Sequence, residues 1–282
     1  MSVNSMSLKA KINNYAKQHK IAPQVVLQNY LFEHFLERIA ASDFREHLIL
    51  KGGLLISSIV GLDTRSTMDL DTTLRQIRLT SENVESIVKK ICAIDIGDDI
   101  KFELKSIEEE RKNDRYGGFC VKMSATYGSI TAAMSIDMTT GDIITPTPVE
   151  YDYGKMFETD QSIKLLAYNL ETILAEKMET ILSRNILNTR IRDFYDIYIL
   201  STTKKIDFQI FSEALKATAQ HRGSWENIKD SASIINTLSI NANLKTLWIQ
   251  YTKKFPYAKE IDYDTIIGQI RKMCEMIKEY FG

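Results

Sequence analysis

Hydrophobic positions along this chain keep three successive rhythms. From Pro23 onward Val26, Leu27, Tyr30, Leu31, Phe35, Leu36 and Ile39 recur at helical spacing, with Glu33, Glu37 and Arg38 off that face. Pro23 suits a first helical position, and Ser7–Lys17 ahead of it has helical composition. These are packing helices, expected to brace a sheet. The rhythm then shortens. Leu48–Leu50 is an apolar run ended by Gly52 and Gly53, after which Leu54, Leu55, Ile59 and Leu62 return to helical spacing. Met68–Leu74 alternates as a strand, which puts Asp69 and Asp71 on one face and Met68 and Leu70 on the other. Ser81 opens a capped helix to about Ile94, and Asp95, Asp98 and Asp99 around Gly97 read as a solvated turn, lacking the ordered spacing of a calcium loop. Three strands follow, Ile100–Glu109, Phe119–Thr126 and Ile130–Met138, with Gly117, Gly118 and Gly128 in the turns. Tyr151–Asp160 reads as a connector.

From Ser162 the third rhythm is helical nearly to the end, with helices expected around Leu170–Arg184, Thr189–Leu200, Phe208–Gln220, Trp225–Leu238, Ala242–Lys253 and Lys259–Tyr280. Strands gathered first and helices afterwards predict an α+β protein: a mixed sheet flanked by helices, then a C-terminal helical bundle closing over one side. The expected domains are 1–160 and 161–282. At 282 residues the chain is long enough for two cores.

A formal net charge of -1 leaves no global positive field to recruit nucleic acid, so any such contact must be local. Cys92, Cys120 and Cys274 are odd in number and far apart, and the four histidines do not cluster, which argues against a zinc site, a disulfide framework or a Ser-His-Asp triad. The first residues lack the apolar core of a signal peptide, and no apolar run approaches the ~20 residues that span a bilayer. The expectation is a cytoplasmic protein without membrane partners.

Chemistry concentrates in Leu48–Leu74. Glycines at the start of a helix let a ligand approach the backbone, and the free N–H groups of the first turn suit phosphate. Two carboxylates alternating on a strand lie roughly 6–7 Å apart and repel by about 2.5 kcal/mol at an effective dielectric near 20, so something cationic is expected between them. A salt bridge to Arg65 or Arg75 would serve, as would Mg²⁺ beside nucleotide phosphates. Asp137 interrupts an inward-looking strand and is the candidate third carboxylate, with Asp142 after Gly141 its competitor. Lys177 falls within the apolar stripe of its helix, and either snorkels to water or reaches a buried anion. Arg192 and Asp196 have the spacing of an i,i+4 ion pair. Lysines 253, 254, 259, 272 and 278 and Arg271, interleaved with Trp248, Tyr251, Phe255 and Tyr257, suit either RNA contact or a charged surface over an aromatic core.

Taken together, Leu50-Lys51-Gly52-Gly53 and Arg65-Ser66-Thr67-Met68-Asp69-Leu70-Asp71 resemble the first motif of polymerase-β-type nucleotidyltransferases, and most closely the AbiEii/AbiGii toxin family. That family carries a third carboxylate in an Ile-Asp-hydrophobic context ahead of Gly-Asp, matched by Asp137, then a lysine in one helix and Arg-Asp-x-x-Asp in the next, matched by Lys177 and by Arg192, Asp193 and Asp196. The resemblance implies a nucleotidyltransferase-like sheet and a metal-dependent toxin of a toxin–antitoxin or phage abortive-infection system. It would transfer a nucleotide from a nucleoside triphosphate to an acceptor hydroxyl, with the 3′ end of tRNA the expected target and a cognate antitoxin the expected partner. It assigns Asp69, Asp71 and Asp137 to Mg²⁺, and Lys51, Gly52, Gly53, Arg65, Thr67, Lys177, Arg192 and Asp196 to the nucleotide. Asp193, counted with the catalytic residues, would hold Lys177 or the substrate. A small-molecule nucleotidyltransferase of the antibiotic-modifying kind and a non-catalytic nucleotide-binding regulator remain as alternatives; a glycosyltransferase would need a strand–helix alternation absent here.

Overall fold

A computed structural model describes residues 3–110, 117–278 and 280, and the chain divides into two compact units. The first comprises Met1–Asp142 and Val149–Ala167, the second Ile143–Pro148 and Tyr168–Gly282.

The first unit is a seven-stranded mixed sheet with helices: α1 (Val3–His19), α2 (Pro23–Ala40), β1 (Leu48–Lys51), α3 (Gly52–Val60), β2 (Leu70–Leu74), α4 (Ser81–Cys92), β3 (Lys101–Glu110), β4 (Gly118–Tyr127), β5 (Ile130–Thr140), β6 (Val149–Gly154) and β7 (Ser162–Ala167). Strand order is β3-β4-β5-β2-β1-β7-β6, with β2/β5 and β1/β7 parallel and the remaining neighbours antiparallel. Alternation decides the two faces of β5. Ile130, Ala132, Met134, Ile136 and Met138 are buried in the core, which leaves Ser135, Asp137 and Thr139 on the open face.

Four expectations need correction. β2 begins at Leu70, so Asp69 lies in the loop before the strand and only Asp71 is within it. Residues 162–167, read as helical, form β7, and residues 149–154, partly in the expected connector, form β6. The reason is visible in β7: Ile163, Leu165 and Ala167 are buried while Ser162 and Lys164 are exposed, a period of two. The aspartate turn is not simply solvated. Both Asp98 carboxylate oxygens accept from the Arg38 guanidinium at 2.8 and 2.6 Å, and Arg38 is 2% exposed, although it lies off the apolar stripe of α2. His34 Nδ1 stands 2.8 Å from Asp98, an ionic contact without hydrogen-bond alignment. Residues 111–116, between β3 and β4, lie outside the described residues; of the two glycines expected in the turn, Gly117 precedes β4 and Gly118 is its first residue.

The second unit is helical: α5 (Leu170–Arg184), α6 (Ile191–Thr203), α7 (Phe208–Arg222), α8 (Trp225–Ile228), α9 (Ser231–Ile240), α10 (Ala242–Lys254) and α11 (Tyr263–Lys278). α5 packs on α6 and α7, and Ile173, Leu174, Met178, Ile181, Phe194, Tyr195, Ile197 and Phe211 of these helices are buried. The expected helix Trp225–Leu238 is broken at Asp230, whose carboxylate accepts from Ser233 N–H and caps α9. The last helix starts at Tyr263 rather than Lys259, after a 3₁₀ turn at Pro256–Ala258.

Candidate active site

β1 ends at Lys51 and α3 starts without a turn between them, which Gly52 permits by taking φ of +66°. The two glycines make room for the chain's own side chains. A Cβ on Gly52 would stand 2.0 Å from Asp71 Oδ2, and one on Gly53 would stand 2.7 Å from Thr67 Oγ1 and 3.2 Å from the Arg65 guanidinium. Gly53 N–H donates to Asp71 Oδ2 at 3.2 Å, so an Asp71 oxygen sits at the N-terminus of α3. Arg65 and Thr67 are buried at 2% and 3%, with Arg65 donating to Ser66 O (2.7 Å) and Asn29 holding Thr67 O (2.9 Å). They fix the loop that carries Asp69.

Parallel pairing of β2 with β5 sets Asp71 directly beside Asp137. Burial, and then the charges of Asp71, Glu110 and Asp69, raise the Asp137 carboxyl above the usual carboxylate range, against a hydrogen bond from the Cys120 thiol that acts the other way. Asp71, Glu110 and Asp69 thus lie near enough to Asp137 to act on its charge, and their repulsion is only partly answered. Asp142 lies elsewhere in the balance: its carboxylate takes the Lys51 ammonium at 2.6 Å and the Thr139 hydroxyl at 2.8 Å. Burial alone would raise the Asp142 carboxyl, but the Lys51 charge and these hydrogen bonds outweigh it and hold it low. Asp137 and not Asp142 therefore keeps an unanswered charge.

Three neighbours were not marked by the sequence reading. Cys120 on β4 is the cross-strand partner of Asp137, and Glu110 closes β3 beside them. Lys122, two residues on, is held by Cys120 and by the charges of Glu108 and Asp137, which raise its pKa. The available signal was the hairpin: Tyr127 opposite Ile130 fixes every later pair, and counting back seven places puts Cys120 opposite Asp137.

The second unit holds the other predicted residues. Lys177 Nζ lies 2.7 Å from Asp193 Oδ1 and 2.7 Å from Asp196 Oδ2, and Arg190 Nε reaches Asp193 Oδ2 at 2.9 Å. The lysine in the apolar stripe thus meets buried anions, those of its own chain, with Asp193 3% and Asp196 0% exposed. Arg192, expected to pair with Asp196, lies with its guanidinium 5.2 Å from the Phe255 ring centre.

No curated protein sequence matches the chain. Among solved structures it is similar to a candidate nucleotidyltransferase from Helicobacter pylori (14% identity, 92% of this chain and 97% of that one, TM-score 0.49). It is also similar to JHP933 from Helicobacter pylori (15%, 92% and 94%, 0.49) and to an antigenic nucleotidyltransferase-like protein from Paracoccidioides brasiliensis (14%, 85% and 91%, 0.36). The family described as "Nucleotidyl transferase AbiEii toxin, Type IV TA system" matches residues 34–269. With most of its length inside that match, the chain belongs to the AbiEii family of nucleotidyltransferase toxins of type IV toxin–antitoxin systems.

Proposed function

We propose that this toxin transfers a nucleoside monophosphate from a nucleoside triphosphate to an RNA hydroxyl, with the tRNA 3′ end the expected acceptor, at the carboxylates of β2 and β5. The observation that carries the reading is Asp71 beside Asp137, with Asp69 close enough to add its charge. A crowd of hard oxygen donors with unanswered charge fits a divalent cation of the Mg²⁺ kind. Asp69, Asp71 and Asp137 would hold it, and when bound it supplies neutralisation of phosphate oxygens.

The remaining work falls to the chain itself. The first turn of α3, at Gly52 and Gly53, would seat the β- and γ-phosphates on its backbone N–H groups, with Gly53 N–H, which donates to Asp71 Oδ2 here, changing partner. Asp137, raised in proton affinity, accepts the proton of the attacking hydroxyl; help of this kind is typically worth about 10²–10⁴-fold. The hydroxyl oxygen bonds to the α-phosphorus, the α–β bridging bond breaks, and pyrophosphate leaves. Arg65 and Thr67 position Asp69 through the buried loop, and Lys51, held by Asp142, fixes the start of α3. The family resemblance assigns Lys177 and Asp196 to the nucleotide and Asp193 to holding Lys177 or the substrate; the ion pairs of Lys177 with both aspartates support a holding role for Asp196 as well. An RNA acceptor is supported by half-buried Phe255 and Tyr257, stacked at 5.4 Å with Arg192 and Lys254 over the Phe255 ring, among exposed Lys253 and Lys259. Trp248 and Tyr251 belong to the core instead.

The test is incubation with Mg²⁺, total tRNA and each α-labelled nucleoside triphosphate in turn, beside a double Asp69→Ala, Asp71→Ala variant. Label in RNA with the wild type and none with the variant is the expected result. Triphosphate binding without transfer to RNA would point to a small-molecule acceptor or a regulator and refute the RNA reading.

A further inference from the structure

The open face of the sheet holds one donor that a Mg²⁺ site has no use for. On β4 the core-facing positions are Val121, Met123 and Ala125, whereas Cys120 points to the face that carries Asp137 and yet is only 4% exposed. Its sulfur lies beside the carboxylates of Glu110 and Asp137, with Lys122 near enough to act on it. One ligand atom each from Glu110, Cys120 and Asp137 lies within 4.8 Å of the others. Around a tetrahedral ion with metal–oxygen distances near 2.1 Å and a metal–sulfur distance near 2.3 Å, ligand atoms stand roughly 3.4–3.6 Å apart, a side-chain adjustment away. Hard ions gain little from a thiol, while Zn²⁺ and Cd²⁺ select it. The function proposed above places a divalent ion at the adjoining aspartates, so a second cation here would compete for Asp137.

We propose that Glu110, Cys120 and Asp137 form a mixed sulfur–oxygen site for a thiophilic divalent cation of the Zn²⁺ class, and that its occupation blocks nucleotidyl transfer. The binding half stands on these three residues; the inhibitory half rests on the function proposed above, because it works by engaging Asp137, the acceptor of the hydroxyl proton. A thiophilic ion is then an inhibitor and not a substitute for Mg²⁺. The ammonium of Lys122, now beside Cys120, moves out to solvent as the ion takes over the counter-charge.

The experiment uses the full chain and Cd²⁺, whose bond to a thiolate gives a charge-transfer absorption absent with oxygen ligands alone. The wild type is expected to bind one Cd²⁺ with that band. Cys120→Ser loses the band and binds Cd²⁺ on the order of tenfold more weakly or worse. A double Cys92→Ser, Cys274→Ser variant, in which Cys120 is the remaining thiol, keeps it, so the test survives if Cys120→Ser folds poorly. Glu110→Gln weakens binding and keeps the band. No band in the double variant, or a band that persists in Cys120→Ser, overturns the site. Mn²⁺ binding followed by electron paramagnetic resonance separates the two ideas. Mn²⁺ bound by the wild type and lost in Asp71→Asn, with no Cd²⁺ band, sinks this inference and leaves the proposed function standing. A Cys120-dependent band in a protein that transfers no nucleotide confirms the binding half and sinks the inhibitory half with the proposed function.

Discussion

Replacing Gly52 by alanine tests whether that glycine serves Asp71. The new Cβ would stand 2.0 Å from Asp71 Oδ2 and 2.5 Å from its Cγ, contacts that a rotation of the aspartate side chain relieves. It would also stand 2.7 Å from Asp71 Cβ, which is fixed to the β2 backbone, so β1 and β2 must part by several tenths of an ångström. Overpacking of this kind costs about 1–3 kcal/mol, and alanine in the left-handed region adds about 1–2 kcal/mol. Loss of the Gly53 N–H bond to a half-buried carboxylate adds about 1 kcal/mol, and the reduced freedom of the unfolded chain returns about 0.4–1 kcal/mol. The sum is a loss of about 4 kcal/mol. At ~2–4 °C per kcal/mol for a unit of this size, that lowers Tm by roughly 8–16 °C. In an Asp71→Gly background only the backbone term remains, about 1 kcal/mol, so the cycle should show a coupling of about 3 kcal/mol. Circular dichroism is the right probe, because both tryptophans, Trp225 and Trp248, lie in the second unit. Equal losses in the two backgrounds would refute the reasoning and leave phosphate approach as the reason for the glycine.

Asp137→Asn should stabilise the ion-free protein, by an amount that grows with pH. The wild-type carboxyl has its pKa raised by burial and by its acidic neighbours, so the native state holds a proton the unfolded chain has lost, and stability falls as pH rises from the ordinary carboxylate value to the raised one. Thermal melts across that window check it, and Mg²⁺ should raise the wild-type Tm and leave that of Asp137→Asn unmoved. Lys177→Met strips Asp193 and Asp196 of the ammonium between them and should cost about 3–5 kcal/mol, while the triple variant with Asp193→Asn and Asp196→Asn recovers most of it in urea unfolding without recovering nucleotide transfer. His34 has a different sign. Burial lowers its pKa, but Asp98 and Glu37 outweigh that and hold it up to about 9, so its stabilising charge is fully present below about 6.5 and lost as pH rises to about 9. The gap between wild type and His34→Gln should therefore shrink by up to roughly 3 kcal/mol over that window; a gap independent of pH would show that His34 is neutral in the folded protein.

What could be read from the sequence divides by how far apart in the chain the partners lie. The β1–α3 junction was legible because glycine, apolar run and helical spacing sit within a dozen residues. β4 and β5 were legible for the same reason, being long, alternating and joined by a short turn. β6 was missed although Val149, Tyr151 and Tyr153 alternate with Glu150 and Asp152: burial on that face runs only from exposed Val149 (37%) to Tyr153 (6%), and Pro146 and Pro148 directly ahead of it read as the end of a sheet. β7 was missed because its six residues merge with the apolar start of α5, and a run that short does not distinguish period two from helix. Arg38 was misplaced because the apolar stripe of α2 marks where carbon is buried and says nothing of a guanidinium whose partner, Asp98, lies sixty residues on.

The site follows the same division with a sharper edge. Local motifs marked Asp71 and Asp137 separately, but their adjacency depends on β2 running parallel to β5, a pairing across more than sixty residues that no local pattern encodes. Cys120 is the opposite case. Its place beside Asp137 follows from a single tight hairpin and parity, yet a cysteine in an alternating strand reads as one more small apolar residue until the neighbouring strand is known to carry a carboxylate. Chemistry here is set by which residue faces which across the sheet. A change of register by one residue in the β4–β5 hairpin would turn Cys120 and Glu110 away from Asp137 while leaving every sequence motif of the family intact.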